Sequence, residues 1–172
     1  MNLRIRPETD EDATRITEIN DRAFGQEDEG ILVQRLRRTD VFDPGLSLVA
    51  EIDGTVSGHI LFYPVVIESG AGAHQTLALA PMAVIPALQN KGIGSALVTE
   101  GLEAAKRQGH RSVVVLGHAE YYPRFGFRPA SRWDIKAPFE APDEAFLALE
   151  LVPGELSGKH GTVKYPAAFE DV

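Results

Sequence analysis

Residues 77–109 hold the stretch that most limits what this chain can become: an apolar run, a turn with two glycines, and a helical pattern that starts at once. The run covers 77–86 and the turn reads Gln89-Asn90-Lys91-Gly92-Ile93-Gly94-Ser95. Ile93, Ala96, Leu97 and Ala104 then recur on one helical face, and Lys106, Arg107 and Gly109 suit the end of that helix. Such a junction is an anion site by geometry. The first amides of a helix have no intrahelical partner, and the macrodipole adds partial positive charge there. Glycines at 92 and 94 open the backbone to a phosphate, and Lys91 adds a full charge. The same glycines would also suit close packing of a strand on a helix, with no ligand at all.

The chain around this stretch is ordinary for a globular protein. Its 172 residues are enough for one domain with a substantial core, and a formal charge of −8 argues against a nucleic-acid partner. There is no cysteine, so neither disulfides nor thiolate metal ligands are expected. No apolar run approaches the ~20 residues of a membrane helix. The start, Met1-Asn2-Leu3-Arg4, has no signal-peptide core. The expectation is a cytoplasmic protein with no membrane partner and no metal.

Alternation of Leu3 and Ile5 with arginines predicts a first strand ended by Pro7, and Thr9 three residues before Asp12 is a capping-box signature. Ala13, Ile16, Ile19 and Ala23 define a helix, and a second is expected over 31–38 after the acidic stretch Gln26-Glu27-Asp28-Glu29. Leu46, Leu48, Ala50 and Ile52 alternate with positions expected to be exposed, and Asp53-Gly54 signals a hairpin. The returning strand, 56–67, carries Gly58 and Pro64, which predict a bulge or bend. A loop at Gly70-Ala71-Gly72 precedes the strand over 77–85. Val113 to Leu116 reads as a strand buried on both faces and parallel to that one, through a right-handed crossover. Strand pattern returns from Phe127 and over 145–152 and 162–165. The expected fold class is α/β, a mixed central β-sheet flanked by helices.

The turn has the spacing Q-x-x-G-x-G. It lacks the Lys-Ser/Thr pair of a nucleoside-triphosphate loop and the third glycine of the dinucleotide fingerprint. Together with Met82-Ala83-Val84-Ile85-Pro86 it resembles the coenzyme A motif of the GNAT acetyltransferase superfamily. A second stretch, Gly117-His118-Ala119-Glu120-Tyr121-Tyr122-Pro123-Arg124-Phe125-Gly126-Phe127, is similar to the second signature of that family. The ending over 161–169 is similar to its YhbS-type branch. The resemblance covers most of the chain and implies a single acyltransferase domain over 1–172, with acetyl-CoA as cosubstrate. It implies transfer of an acetyl group to a small-molecule or peptide amine, and it allows a homodimer. In that family the loop between the first two helices often borders the acceptor, so the acidic stretch is either ordinary solvated surface or part of that border.

The resemblance assigns cofactor binding to Met82, Ala83, Val84, Gln89, Asn90, Lys91, Gly92, Ile93, Gly94 and Ser95. It makes Tyr122 the general acid; Tyr121 is the adjacent alternative, and packing beside Phe125 and Phe127 is the other role open to Tyr122. The chemistry stands by itself. A phenol near pKa ~10 is protonated at neutral pH, and a leaving thiolate near ~8.5 wants that proton, so no unusual shift is required. A backbone amide at 82–84 is the expected oxyanion donor. A base is harder to find, because neither 77–85 nor 113–117 holds an acid, and Gly117-His118 stands where the family commonly carries asparagine. His118 or water is left to take the proton, and His59, His74, His110 and His160 have no stronger claim. Deprotonating a lysine side chain (pKa ~10.4) at pH 7 costs about 4.6 kcal/mol, and an α-amine (~7.7) about 1 kcal/mol. An amine of low pKa is therefore the expected acceptor. A non-catalytic acyl-CoA-binding module is the alternative reading.

Overall fold

The computed structural model describes residues 1–170; Asp171 and Val172, which close the domain expected over 1–172, lie outside the described residues. The strands are β1 (Leu3–Pro7), β2 (Ser47–Ile52), β3 (Thr55–Ser69), β4 (Gly72–Val84), β5 (Ser112–Leu116), β6 (Arg128–Pro129), β7 (Ile135–Lys136), β8 (Phe146–Glu150) and β9 (Gly161–Lys164). The helices are α1 (Ala13–Phe24), α2 (Asp28–Arg37) and α3 (Ile93–Arg107). The strands form a mixed sheet in the order β1-β2-β3-β4-β5-β8-β6, with β9 on β3 and β7. The expected α/β class is observed. Contacts divide the chain into two compact units, and β3, β4 and α3 contribute residues to both.

The first unit comprises Met1–Tyr63, Ala80–Ala104 and the described residues from Ala167 on. β1, β2 and β3 pair antiparallel, and Asp53 (φ 51°) and Gly54 (φ 84°) make the hairpin turn that their residue types predict. Ala50 pairs with Gly58 but Glu51 with Val56, so Ser57 is an extra residue and the predicted bulge is present. Ile16, Leu32, Val33 and Leu36 of the two helices pack on Val49, Leu61 and Tyr63. The Asp12 carboxylate accepts from the Thr9 amide (2.7 Å) as the capping signature requires, and Arg6 holds that carboxyl down at about 2.

Two expectations fail in this unit. α2 begins at Asp28, so Asp28 and Glu29 form its first turn, where carboxylates oppose the positive end of the helix. β2 does not alternate: Ser47, Leu48, Val49 and Ala50 are all buried. Val49 packs with α1 and α2, while a Cβ at Gly58 would meet both Ala50 and Leu97 of α3. The strand is thus covered on both faces. Further along α3, Gly101 lies against the ring of Phe62, where a Cβ would come within 2.4 Å of Phe62 Cε2.

A buried polar chain crosses the same unit. Arg37 donates to both carboxylate oxygens of Glu8 (2.9 and 3.1 Å), Ser47 donates to Glu8, and Ser47 Oγ lies 2.9 Å from His59 Nε2. The Ser47 proton is spent on Glu8, so Nε2 carries the hydrogen and Nδ1 faces Asn20 Nδ2 at 3.4 Å as an acceptor. Burial, and then the charge of Arg37, hold His59 neutral with its pKa down at about 3. His59 is a structural histidine.

The second unit comprises Pro64–Leu79 and Ala105–Pro166. β4 and β5 are parallel, as the strand–helix–strand order predicts, with Leu77 opposite Val113 and Ala78 opposite Val114. The ladder ends there, although β5 runs on to Leu116 and pairs antiparallel with β8 throughout. Val65, Ile67, Val114, Ile135, Phe146 and Val163 are among the residues of its core. Leu116 is 50% exposed, against the expectation of burial on both faces, because it ends the strand. The strand expected from Phe127 shrinks to two residues of β6, and β7 had no sequence signal of its own.

Candidate active site

The turn that ends β4 belongs to the first unit. The strand stops at Val84, one residue before the predicted end, and the Ile85 amide donates to Ser57 O (3.0 Å). A 3-10 turn at Pro86–Leu88 then intervenes between the strand and the residues that lead to the glycines. Gln89 reaches back and donates from Nε2 to Val84 O (2.9 Å), closing the loop on itself. Asn90 (φ 63°) and Gly92 (φ 85°) both adopt the left-handed conformation, which asparagine and glycine tolerate best. The Ala96 amide donates to Gly92 O (3.1 Å), so the helical ladder starts there and the amides of Ile93 and Gly94 precede it.

Around that ladder start the surface is open. A Cβ at Gly92 would meet nothing within 4 Å, and Gln89, Asn90, Lys91 and Gly92 are exposed. The side chain of Ile93 is buried in the core, which leaves its amide as the group it can offer a ligand. Met82 is half-buried, while Ala83 and Val84 are buried. The structure therefore brings the residues at 82–84 and 89–95 together in one strand end and turn, tied by the Gln89 side chain. That tie was not foreseen in the sequence.

The tyrosine turn belongs to the second unit. After β5 the Gly117 amide donates to Ala145 O (2.9 Å). The carbonyl of His118 accepts from the amides of Tyr121 (3.1 Å) and Tyr122 (3.3 Å), starting a 3-10 turn at Tyr122–Phe125 that Gly126 (φ 103°) ends. His118 and Tyr122 are thus brought together through the backbone, with the His118 side chain exposed. Tyr122 is 6% exposed, and its ring meets Tyr121 and Phe127 edge to face at 5.1 and 5.6 Å. Phe125, expected beside it, contacts Tyr121 instead (5.3 Å), and the Arg124 guanidinium covers the Tyr121 ring at 4.7 Å.

The two tyrosines therefore differ. Burial, and then the neighbouring Tyr121, push the Tyr122 phenol well above its usual range. The direction keeps it protonated at neutral pH and makes it a weaker acid. Neither β4 nor β5 contains Asp or Glu. Gly117 lies against Tyr122, which its residue type does not announce: a Cβ there would lie 2.3 Å from Tyr122 Cε2.

Known proteins resemble this chain in sequence and in fold. The profile of the acetyltransferase (GNAT) family matches residues 13–127. The chain is 41% identical to the uncharacterized N-acetyltransferase YjhQ of Escherichia coli K12 over 134 residues, 77% of this chain and 74% of YjhQ. Its fold is similar to the crystal structure of the Escherichia coli GNAT family N-acetyltransferase YhbS in complex with CoA. That match has a TM-score of 0.89 and 32% identity, covering 98% of this chain and 92% of the other. It is also similar to a GNAT family acetyltransferase from Brucella melitensis in complex with acetyl-CoA, with a TM-score of 0.80, 37% identity and coverage of 98% and 99%.

Proposed function

This chain belongs to the GNAT acetyltransferase family and is an N-acetyltransferase, and on that premise we propose how its residues divide the reaction. It acts as one domain over 1–172, takes acetyl-CoA as cosubstrate, and passes the acetyl group to a primary amine by direct attack. The amides of Ile93 and Gly94, with Lys91, hold the diphosphate over the clear space at Gly92; Gln89, Asn90 and Ser95 shape that turn. A backbone amide among Met82, Ala83 and Val84 meets the oxyanion, where a fixed donor loses little by reorganising. The amine lone pair attacks the thioester carbonyl, the C–S bond breaks, and the thiolate takes the phenol proton of Tyr122. The proton lost by the amine passes to His118 or to water.

Since neither parallel strand supplies a carboxylate, the acceptor is an amine of low pKa, an α-amine rather than a lysine side chain. The location is cytoplasmic, and the family allows a homodimer. What carries the reading is the left-handed turn at Asn90 and Gly92, which leads into the first turn of α3 and leaves the space where a Gly92 Cβ would stand empty.

The test is calorimetry with acetyl-CoA, followed by thiol release with an amino-acid amide and with Nα-acetyl-lysine as acceptors. Saturable uptake and faster release with the α-amine are expected. No uptake would overturn the reading of the turn. Uptake without thiol release would leave a binding module, and release only with the lysine side chain would overturn the acceptor class.

A further inference from the structure

We propose that Gly117 is a positioning residue for the reaction: its lack of a side chain is what allows the ring of Tyr122 to lie where its phenol is aimed. The inference rests on the assignment of Tyr122 as proton donor. A Cβ at Gly117 would stand 2.3 Å from Tyr122 Cε2, 2.7 Å from Cδ2 and 3.4 Å from Cζ. These atoms span one edge of the ring up to the carbon that bears the hydroxyl. Contacts of 2.3 and 2.7 Å are far inside van der Waals distance, so one of the two partners must move.

The backbone is the partner that cannot. Gly117 is held by the hydrogen bond that its N–H donates to Ala145 O (2.9 Å), directly after a strand paired with β8 along its full length. The ring, by contrast, is held by packing: Tyr121 lies edge-on at 5.1 Å and the fully buried Phe127 at 5.6 Å. A methyl group at 117 would therefore turn the ring about its own side-chain bonds or push it towards those neighbours, and in either case carry the hydroxyl away. Gly117 is not among the glycines with positive φ. An L-residue there meets no backbone strain, and the demand is one of contact alone. That separates it from Gly126 nearby, whose φ of 103° is itself the requirement.

Turnover measured on Gly117→Ala, Tyr122→Phe and the double variant tests the idea. Gly117→Ala is expected to lower kcat about 10- to 100-fold, as displacement of a reacting group does, with KM for acetyl-CoA within about twofold of the parent. In the Tyr122→Phe background the same change should have no further effect on kcat, because no hydroxyl remains to be misplaced. A structural role would lower kcat by the same factor in both backgrounds, and that result overturns the proposal; so does parental turnover in Gly117→Ala. Unchanged turnover in Tyr122→Phe would instead overturn the assignment of the donor. A measurement on the parent protein guards against misfolding of the variant: a nuclear Overhauser contact between the Gly117 α protons and the Tyr122 ring protons is expected, and its absence overturns the contact.

Discussion

The turn after β4 and the turn after β5 both depend on a glycine, for opposite reasons. Gly92 has a backbone angle that disfavours any side chain, yet the space where a Cβ would go is empty. Gly117 has an ordinary backbone angle, and the space is already filled by the ring of Tyr122. One turn keeps room for a visitor; the other gives its room to the protein's own phenol. The difference teaches that a glycine in a functional loop has to be read by what lies beyond its Cα. Empty space over a left-handed glycine is shared by ordinary turns such as those at Gly54 and Gly109, so what sets Gly92 apart is the helix that starts beside it. Filled space over ordinary backbone fixes where a neighbouring side chain can lie.

Substitutions should pull the two turns apart. The largest effect is expected at Gly92→Trp, which fills the empty space and adds the ~1–2 kcal/mol of a left-handed L-residue. Acetyl-CoA uptake by calorimetry should disappear, and uptake at the parental level would break the reading of the open turn. Tyr122→Phe comes next. Turnover should fall about 10²–10⁴-fold, the usual range for a general acid, while acetyl-CoA affinity stays close to that of the parent.

The same residue makes a statement about pH. Because its pKa is raised above the ordinary 10, the proton is held as pH rises through 10 and is lost only above it. The parent enzyme should therefore show no fall in kcat from this group between pH 8 and 10. A basic limb below 10 that vanishes in Tyr122→Phe would contradict the buried seat. Smallest is Gln89→Leu, which removes the bond to Val84 O. At about 1 kcal/mol for a net hydrogen bond, KM for acetyl-CoA should rise about fivefold. No change would show that the loop is held without that tie.

How much of this could be read from residues alone depended on how local the cause was. The hairpin at Asp53-Gly54, the bulge near Gly58 and the end of α3 at Gly109 each follow from a demand that a few neighbouring residues state openly. The turn at 89–95 was legible for the same reason, whereas the left-handed conformation of Asn90 within it was not. The reach of Gln89 back to Val84 depends on a 3-10 turn between them, and apolar periodicity does not signal such a turn. The contact of Gly117 with Tyr122 was hidden similarly, since spacing gives no hint that the intervening chain folds the ring back onto the strand end. Burial of Ser47 and Val49 escaped because helices cover both faces of β2, and a strand does not announce what covers it. The shift of Tyr122 could not be foreseen either, as it comes from the degree of burial rather than from residue type.

The seating of Gly101 against Phe62 has a consequence at the other end of its helix. A glycine in mid-helix lowers helix stability by about 1 kcal/mol relative to alanine, and here it lets the axis of α3 draw close to the strand that carries Phe62. A rod clamped near its middle has little freedom to slide or tilt, so the amides we propose as donors at its tip are held at a set height before any cosubstrate arrives. The loss of freedom that capture of a flexible molecule would otherwise exact from the protein has already been met during folding, and binding starts from a preorganised grip.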